Sequence, residues 1–308
     1  MSSPSSRSSL YSAPATQTPA PSQEPGSNLL DLDSILDELK EIRPPWDAQE
    51  SEIELISAYG SGTFGKSHKG KWRQREVFIK KLIAIDPQFL PEDFPKQFKE
   101  ECERLMRFKH FNLVPVVGSC CSPTDKYIIW DFTPGKSLKE HLIRNTLSTP
   151  DFLHIVRSII NGVLYLHQEN VIHGDLKTSN VLMCSNGDIK LVDYSFLDFK
   201  DALSIDESEP QYMAPELFSG ESYREKIDVY SFGMLIYEIT TGRVPFAGVP
   251  PKTIVNIVGS QNQHPEMFPT TPVFLRQIMI MCWFHDPLQR PAFSYLQDLF
   301  NQEPDKIL

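Results

Sequence analysis

The sequence predicts an α+β fold in which a small lobe rich in β-strand is followed by a larger helical lobe. Strand-like apolar alternation, interrupted by glycine turns, dominates residues 52–132. From residue 133 onward the apolar residues recur mainly at helical spacing, as in 152–167, 227–240 and 273–283. Strands grouped before helices are typical of this fold class, and a hydrophobic content of 40% is ample for a core.

Within the small lobe, the predicted order is strand, glycine turn, strand, helix and two further strands. The strand-like segments are 53–55, 77–79, 113–117 and 127–132, and the helix-like segment is 98–108. The junction between the lobes is therefore expected close to residue 132.

The N-terminal region has a different composition from the rest of the chain. Residues 1–28 are mostly Ser, Pro, Thr, Ala and Gln, which predicts a disordered tail. Residues 29–42 are acidic with apolar residues near helical spacing, so 29–51 is expected to form an amphipathic helix and a linker. That helix either packs on the adjacent domain, expected over 52–301, or binds a separate partner.

Bulk properties exclude several classes of protein. A net charge of −10 argues against nucleic acid or an anionic membrane as the main partner. The five cysteines show no paired zinc spacing and are expected to be reduced thiols in a cytoplasmic protein. No apolar run reaches about 18 residues and the N-terminus has no apolar signal region, so neither a membrane span nor a signal peptide is predicted.

A glycine loop, residues 60–65, is the first candidate binding element. Gly60, Gly62 and Gly65 match a loop whose backbone approaches phosphate, but the same spacing also occurs in dinucleotide-binding proteins. Strand-like residues stand on both sides of this loop, and Lys80 follows fifteen residues later. This context favours a nucleoside triphosphate, with Lys80 on its phosphates and Glu101, on the next helix, holding that lysine. Strand alternation favours Lys80 over the adjacent Lys81 for this role.

The segment 173–180, called the catalytic loop below, carries the most specific signal. It places Asp175, Lys177 and Asn180 at short spacing, and Asp193 follows after the next hairpin. Phosphoryl transfer needs a group that orients the attacking hydroxyl, a cation that offsets phosphate charge, and oxygen ligands for metal. We therefore predict Asp175 as the base, Lys177 as the cation, and Asn180 and Asp193 as Mg²⁺ ligands; loop-capping polar residues are the alternative.

As a set, these motifs resemble the eukaryotic protein kinases, particularly the tyrosine-kinase-like group that includes the RAF and mixed-lineage kinases. The resemblance covers roughly residues 52–301, and the motifs that carry it lie in order at 60–65, 69–72, 77–80, 173–180, 193, 213–216, 228–233 and 282–291.

The resemblance implies a bilobal kinase fold with lobes at 52–132 and 133–301, and transfer of the ATP γ-phosphate, with Mg²⁺, to protein serine or threonine. It places the hinge between the lobes at Asp131 and Phe132, and Leu182 beneath adenine. It also implies that Glu216 pairs with Arg290 and that Asp228 holds the catalytic loop.

Several positions depart from the kinase pattern, among them four near the expected nucleotide site and catalytic loop. Phe78 replaces an alanine that faces adenine, and Ser67 replaces a valine on the other side of the base. Trp130 stands just before the hinge, and Glu209 replaces a threonine that contacts the catalytic loop. Two hypotheses follow: an active serine/threonine kinase of unidentified substrate, or a pseudokinase that serves as a binding module because Phe78 occludes the adenine pocket.

Overall fold

The computed structural model describes residues 43–62, 65–82, 91–194, 209–219 and 225–302. All the elements named below belong to one compact unit, Pro45–Leu308. The disordered tail predicted over 1–28 and the acidic helix predicted over 29–42 lie outside the described residues.

The small lobe is built on a five-stranded antiparallel sheet in the order β1-β2-β3-β5-β4. The strands are β1 (Ile53–Gly62), β2 (Gly65–Trp72), β3 (Arg75–Leu82), β4 (Val116–Cys121) and β5 (Lys126–Asp131). The predicted strand at 113–117 is thus shifted, because Leu113 forms only an isolated bridge with Leu191 of the other lobe. Strand β4 therefore begins at Val116, three residues after that bridge.

One helix, α1 (Phe94–Met106), packs against this sheet. It buries Phe94, Phe98, Cys102 and Leu105, which recur every three or four residues and so form one apolar stripe. The helix begins four residues earlier than the sequence predicted, with a proline in its first turn, where the missing N–H costs nothing.

The large lobe is mainly helical and carries a second, three-stranded sheet in the order β6-β7-β8. Its strands are β6 (Gly135–Ser137), β7 (Val181–Cys184) and β8 (Ile189–Leu191). Its helices are α2 (Leu138–Leu142), α3 (Thr149–Gln168), α4 (Pro215–Ser219), α5 (Lys226–Thr241), α6 (Pro251–Gly259), α7 (Val273–Cys282) and α8 (Phe293–Gln302). The predicted α+β class with a strand-rich lobe before a helical lobe is confirmed.

Helix α5 is the centre of the large lobe, because every residue from Ile227 to Ile239 is buried. Two carboxylates lie in that buried stretch. Glu238 accepts hydrogen bonds from the hydroxyls of Thr178, at 2.9 Å, and Tyr212, at 2.6 Å. Asp228 holds the catalytic loop, as described below. These two carboxylates are therefore tolerated in the core because each accepts hydrogen bonds from nearby donors.

A buried ion pair connects the segments around residues 216 and 290. Both nitrogens at the end of the Arg290 guanidinium bind the Glu216 carboxylate, at 2.6 and 2.8 Å. This is the pair that the kinase resemblance implied. Among the described residues, no helix combines the length and apolar character needed to cross a membrane.

Candidate active site

A cavity of about 380 Å³ lies between the two lobes. Its size is in the range of small-molecule sites in proteins. The described residues that line it include Ser67, Phe78, Lys80, Trp130, Ser137, Lys139, Asn180, Leu182, Asp193 and Glu209. Lys80, Asn180, Leu182 and Asp193, predicted from the sequence as site residues, are thus brought together from three separate segments.

Lys80 lies on β3 with its side chain only 1% exposed, and its Nζ is 2.6 Å from Oδ2 of Asp193. The neighbouring Lys81 points away and pairs instead with Asp125 at 2.8 Å. Strand alternation sends consecutive side chains to opposite faces, so the preference for Lys80 over Lys81 agrees with the structure.

Asp193 follows β8 and adopts a left-handed backbone conformation with φ of +59°. Non-glycine residues in this conformation are uncommon and are found disproportionately at functional sites. The carboxylate of Asp193 binds Lys80, and Ser67 lies 3.5 Å from the same oxygen, Oδ2. The turn after β8 therefore presents this carboxylate to the β2 and β3 side of the cleft.

The catalytic loop is held together by short contacts among its own predicted site residues. The side-chain amide nitrogen of Asn180 donates to the backbone oxygen of Asp175 at 2.7 Å and to its carboxylate at 3.0 Å. Lys177 Nζ lies 3.1 Å from the other carboxylate oxygen of Asp175. The three residues form one cluster beside the cavity.

Asp228 on α5 fixes the backbone at the start of this loop. Its carboxylate is 0% exposed and accepts the backbone N–H groups of His173 and Gly174, both at 2.9 Å. His167 Nε2 lies 2.7 Å from the same carboxylate. Burial would raise the pKa of Asp228, but the hydrogen bond and charge of His167 and the hydrogen bond from Gly174 outweigh it and lower that pKa.

Lys177 is shared between two carboxylates. Besides Asp175, its Nζ contacts Oε2 of Glu209 at 2.8 Å, and Oε1 of Glu209 lies 3.3 Å from Lys139 Nζ. Burial would lower the pKa of Lys177, but the charges of Asp175 and Glu209 outweigh it and raise that pKa. The lysine is therefore fully protonated at neutral pH.

Among the ion pairs of the described residues, Lys80 pairs with Asp193 and Glu101 with Arg104, and a pair between Lys80 and Glu101 stays a prediction. The carboxylate of Glu101 binds Arg104, three residues later on α1, through two contacts of 2.7 and 2.8 Å. Arg104 also donates to the backbone oxygen of Glu169 in the large lobe, at 3.3 Å. Sequence spacing placed Glu101 on the right helix, but the arginine one helical turn away offers a bidentate partner.

Replacing Arg104 with glutamine is expected to raise the phosphoryl-transfer activity predicted from the sequence by about three- to tenfold, because it removes a bidentate partner that competes with Lys80 for Glu101. Initial rates at saturating ATP are the measurement. Arg107→Gln is the matched control, since Arg107 forms an equivalent ion pair with Glu103 on the exposed face of the same helix. Equal rates for the Arg104 variant and the control would show that this contact does not restrain Glu101.

The glycine loop is a tight hairpin between β1 and β2. Gly60 faces Ser67 and Gly62 faces Gly65 across the ladder, and Thr63 and Phe64 lie outside the described residues. A Cβ atom at Gly65 would collide with the backbone oxygen of Lys81 on β3. Glycine is therefore required at residue 65 by the approach of two strands.

The hinge residues Asp131 and Phe132 are not among the described residues that line the cavity. Phe78 lines it and also packs against Phe132, with ring centroids 5.4 Å apart. The phenylalanine ring thus lies beside the hinge, and the buried Leu182 of the other lobe lines the same cavity. That Phe78 narrows the space where adenine is expected stays a prediction.

Tyr194 connects the site to the core of the small lobe. It is fully buried, its hydroxyl donates to the backbone oxygen of Val114 at 2.9 Å, and its ring meets Trp130 edge-on with centroids 4.7 Å apart. Burial raises the pKa of this phenol well above its ordinary value. The hydroxyl therefore remains a neutral donor at all physiological pH values.

Tyr194→Phe is expected to lower the free energy of unfolding by about 1–2 kcal/mol, because the buried oxygen of Val114 loses its donor. Urea denaturation followed by fluorescence measures this change. Tyr295→Phe is the control, since Tyr295 is 50% exposed on α8 and its change is expected to stay within about 0.5 kcal/mol. Equal stabilities of the two variants would contradict the role given to the Tyr194 hydroxyl.

Sequence reasoning missed Lys139 and Ser137 as cavity residues, and it identified Glu209 only as a departure from the kinase pattern. These residues lie on α2, on β6 and at the start of the segment before α4. Lysine and serine are common on protein surfaces, so no local signal distinguished them. Their position beside the cavity depends on how separate segments of the large lobe pack together.

Comparison with known proteins places the chain in a family. The family described as protein tyrosine and serine/threonine kinase matches residues 53–300, and the chain belongs to it. The fold is that of a protein kinase domain.

Several curated relatives are themselves named as kinases. The chain is 32% identical over 262 residues to a probable serine/threonine-protein kinase of Dictyostelium discoideum, covering 82% of this chain and 28% of that protein. It is 30% identical over 254 residues to the serine/threonine-protein kinase STY46 of Arabidopsis thaliana, covering 81% and 44%. It is 32% identical over 274 residues to the dual specificity protein kinase shkB of Dictyostelium discoideum, covering 84% and 41%. The chain thus spans less than half the length of these relatives.

Proposed function

We propose that this chain is an active protein serine/threonine kinase that uses ATP and Mg²⁺. The observation that carries the proposal is the convergence of Lys80, Asp193 and the Asp175–Lys177–Asn180 cluster on one cavity between two lobes. The kinase names of the relatives support the enzyme over the pseudokinase alternative. Drift toward a binding module would be expected to remove such charged groups, and each one is present.

The residues around the cavity fit a hydrated divalent cation and a triphosphate. Asn180 uses its amide nitrogen to bind Asp175, so its amide oxygen is the atom suited to a metal. Asp193 supplies a carboxylate close by, and amide and carboxylate oxygens are ligands that Mg²⁺ accepts. The cation, when bound, offsets the charge of the phosphates. Lys80, held at Asp193 in this structure, is placed to contact them as well.

Asp175 is the proposed base. Its carboxylate is oriented by Asn180 and Lys177. It accepts the proton of the attacking hydroxyl as the new oxygen–phosphorus bond forms and the bond from the γ-phosphorus to the bridging oxygen breaks, so that ADP leaves. Lys177 supplies positive charge next to that step. Because two carboxylates raise the pKa of Lys177, this lysine does not act as an acid or base near neutral pH.

Serine and threonine are the proposed acceptors, on the strength of Lys177 in the catalytic loop and the names of most of the relatives. The dual specificity named for one relative makes tyrosine the alternative acceptor to be tested. A cytoplasmic location is proposed because the five cysteines are free thiols and ATP is the proposed substrate.

Transfer of label from γ-³²P-ATP to a generic protein substrate, followed by phosphoamino acid analysis, tests the proposal. Labelled serine and threonine are expected with Mg²⁺, and no label with a chelator. Asp193→Asn is expected to abolish transfer, because it removes the charge of a proposed metal ligand. An inactive wild-type protein that is also unmoved by millimolar Mg·ATP in a thermal-shift titration would overturn the proposal in favour of the binding module.

A further inference from the structure

Glu209 lies beside the proposed base and divides its carboxylate between two lysines. One oxygen is 2.8 Å from Lys177 and the other is 3.3 Å from Lys139. Lys177 in turn contacts Asp175 at 3.1 Å. Lys177, the cation proposed to contact phosphate, is therefore already bound by the carboxylates of Asp175 and Glu209. Glu209 also lines the cavity.

The carboxylate of Glu209 is ionised at neutral pH. Burial would raise its pKa, but the charges and hydrogen bonds of Lys177 and Lys139 outweigh burial and lower that pKa. Its side chain is 24% exposed, against 3% for Lys177. Solvent therefore screens the Glu209 charge only in part, and its field reaches into the cleft.

We propose that Glu209 is an internal competitor of the terminal phosphate of ATP, and that it lowers both the affinity for ATP and the rate of transfer. Carboxylate and phosphate oxygens bind a lysine ammonium in the same way, so a phosphate that reaches Lys177 has to draw it away from Glu209. The kinase pattern has a neutral threonine at this position, and such a residue does not compete. The inference rests on the nucleotide site proposed above.

Lys139 moderates this competition from the other side. It lies on α2, its side chain is 39% exposed, and it binds the oxygen of Glu209 that faces away from Lys177. When Lys139 holds the carboxylate, Lys177 is more readily released to phosphate. Removing the charge of Lys139 is therefore expected to act in the opposite direction to removing the charge of Glu209.

The test measures Mg·ATP and Mg·ADP affinities by titration calorimetry for the full chain and its variants. Glu209→Gln is expected to tighten ATP binding by about tenfold, while ADP, which lacks the terminal phosphate, changes by less than about twofold. Glu209→Thr is expected to act in the same direction, and kcat rises with either variant. Glu103→Gln, which removes a charge on the exposed face of α1, is the control and leaves both affinities unchanged.

A double-mutant cycle separates the competition from a simple loss of packing. Lys139→Gln alone is expected to weaken ATP binding by about threefold, and it has no further effect when Glu209 is already glutamine. Lys139 is partly exposed, so this variant is expected to fold; melting temperatures of all variants check this directly. The proposal fails if Glu209→Gln binds ATP no more tightly than the wild type, or if its affinities for ATP and ADP change by the same factor. Either result would mean that Glu209 only holds Lys177 in place.

The outcomes also separate this inference from the proposed function. Tighter ATP binding in Glu209→Gln without any phosphoryl transfer would support the competition and overturn the enzyme. Phosphoryl transfer by the wild type, together with an ATP affinity that is the same in the wild type and in Glu209→Gln, would support the enzyme and overturn the competition.

Discussion

Replacing Phe78 with alanine is expected to tighten ATP binding by roughly 10²–10³-fold. The ring lines the cleft cavity and packs on Phe132 of the hinge, on the side where the kinase resemblance places adenine. If the ring denies the base about 150 Å² of burial, the loss is roughly 4 kcal/mol at 25 cal/mol per Å². The alanine side chain lacks the ring and so leaves that space to the base. Alanine is also the residue that the kinase pattern has at this position.

Thermal-shift and calorimetric titrations with Mg·ATP measure this effect in the wild type and the Phe78→Ala variant. Phe111→Ala is the matched control, since Phe111 is 61% exposed and lies outside the residues that line the cavity. We expect the wild type to bind with weak affinity and still to catalyse transfer. An unchanged dissociation constant in Phe78→Ala would mean that the ring already leaves room for adenine.

The catalytic residues could be predicted because their signal is local. Asp175, Lys177 and Asn180 lie within six residues of one another, and a loop of that length leaves few arrangements of its side chains. Lys80 was distinguished from Lys81 by strand alternation alone, and the structure places the two on opposite faces of β3. The family match over residues 53–300 confirms the kinase fold class that these motifs indicated.

The features that could not be predicted depend on how separate elements meet. The partner of Glu101 is set by the position of α1 relative to the sheet, and Arg104 competes for it within the helix. The contact between Lys139 and Glu209 joins residues that are 70 positions apart. The spacing of Glu101 and Arg104 is that of neighbours on a helix, but it does not decide between Arg104 and Lys80 as the partner of Glu101. The contact between Lys139 and Glu209 leaves no signal in the spacing, because it forms only when the large lobe has folded.

Asp228→Asn is expected to lower the free energy of unfolding at pH 7 by about 3–5 kcal/mol, because it removes one partner from a buried set of charge-assisted hydrogen bonds. The carboxylate has 0% exposure and accepts from the backbone of His173 and Gly174 while also contacting His167. An asparagine retains one acceptor oxygen and places an NH₂ group against a donor. Asp298→Asn, at an exposed position of α8, is the control with an expected change within about 0.5 kcal/mol.

The pH dependence of the free energy of unfolding distinguishes the loss of the Asp228 charge from a loss of packing. The folded-state pKa of Asp228 is lowered, so the folded protein binds fewer protons here than the unfolded chain. Its stabilisation is therefore complete above the unfolded pKa of about 3.9 and is lost as the pH falls through the lower folded pKa. The wild type should lose stability through this acid range more steeply than Asp228→Asn, as measured by urea denaturation at several pH values. Parallel curves for the two proteins would show that the Asp228 carboxylate is not the group that links acid to unfolding.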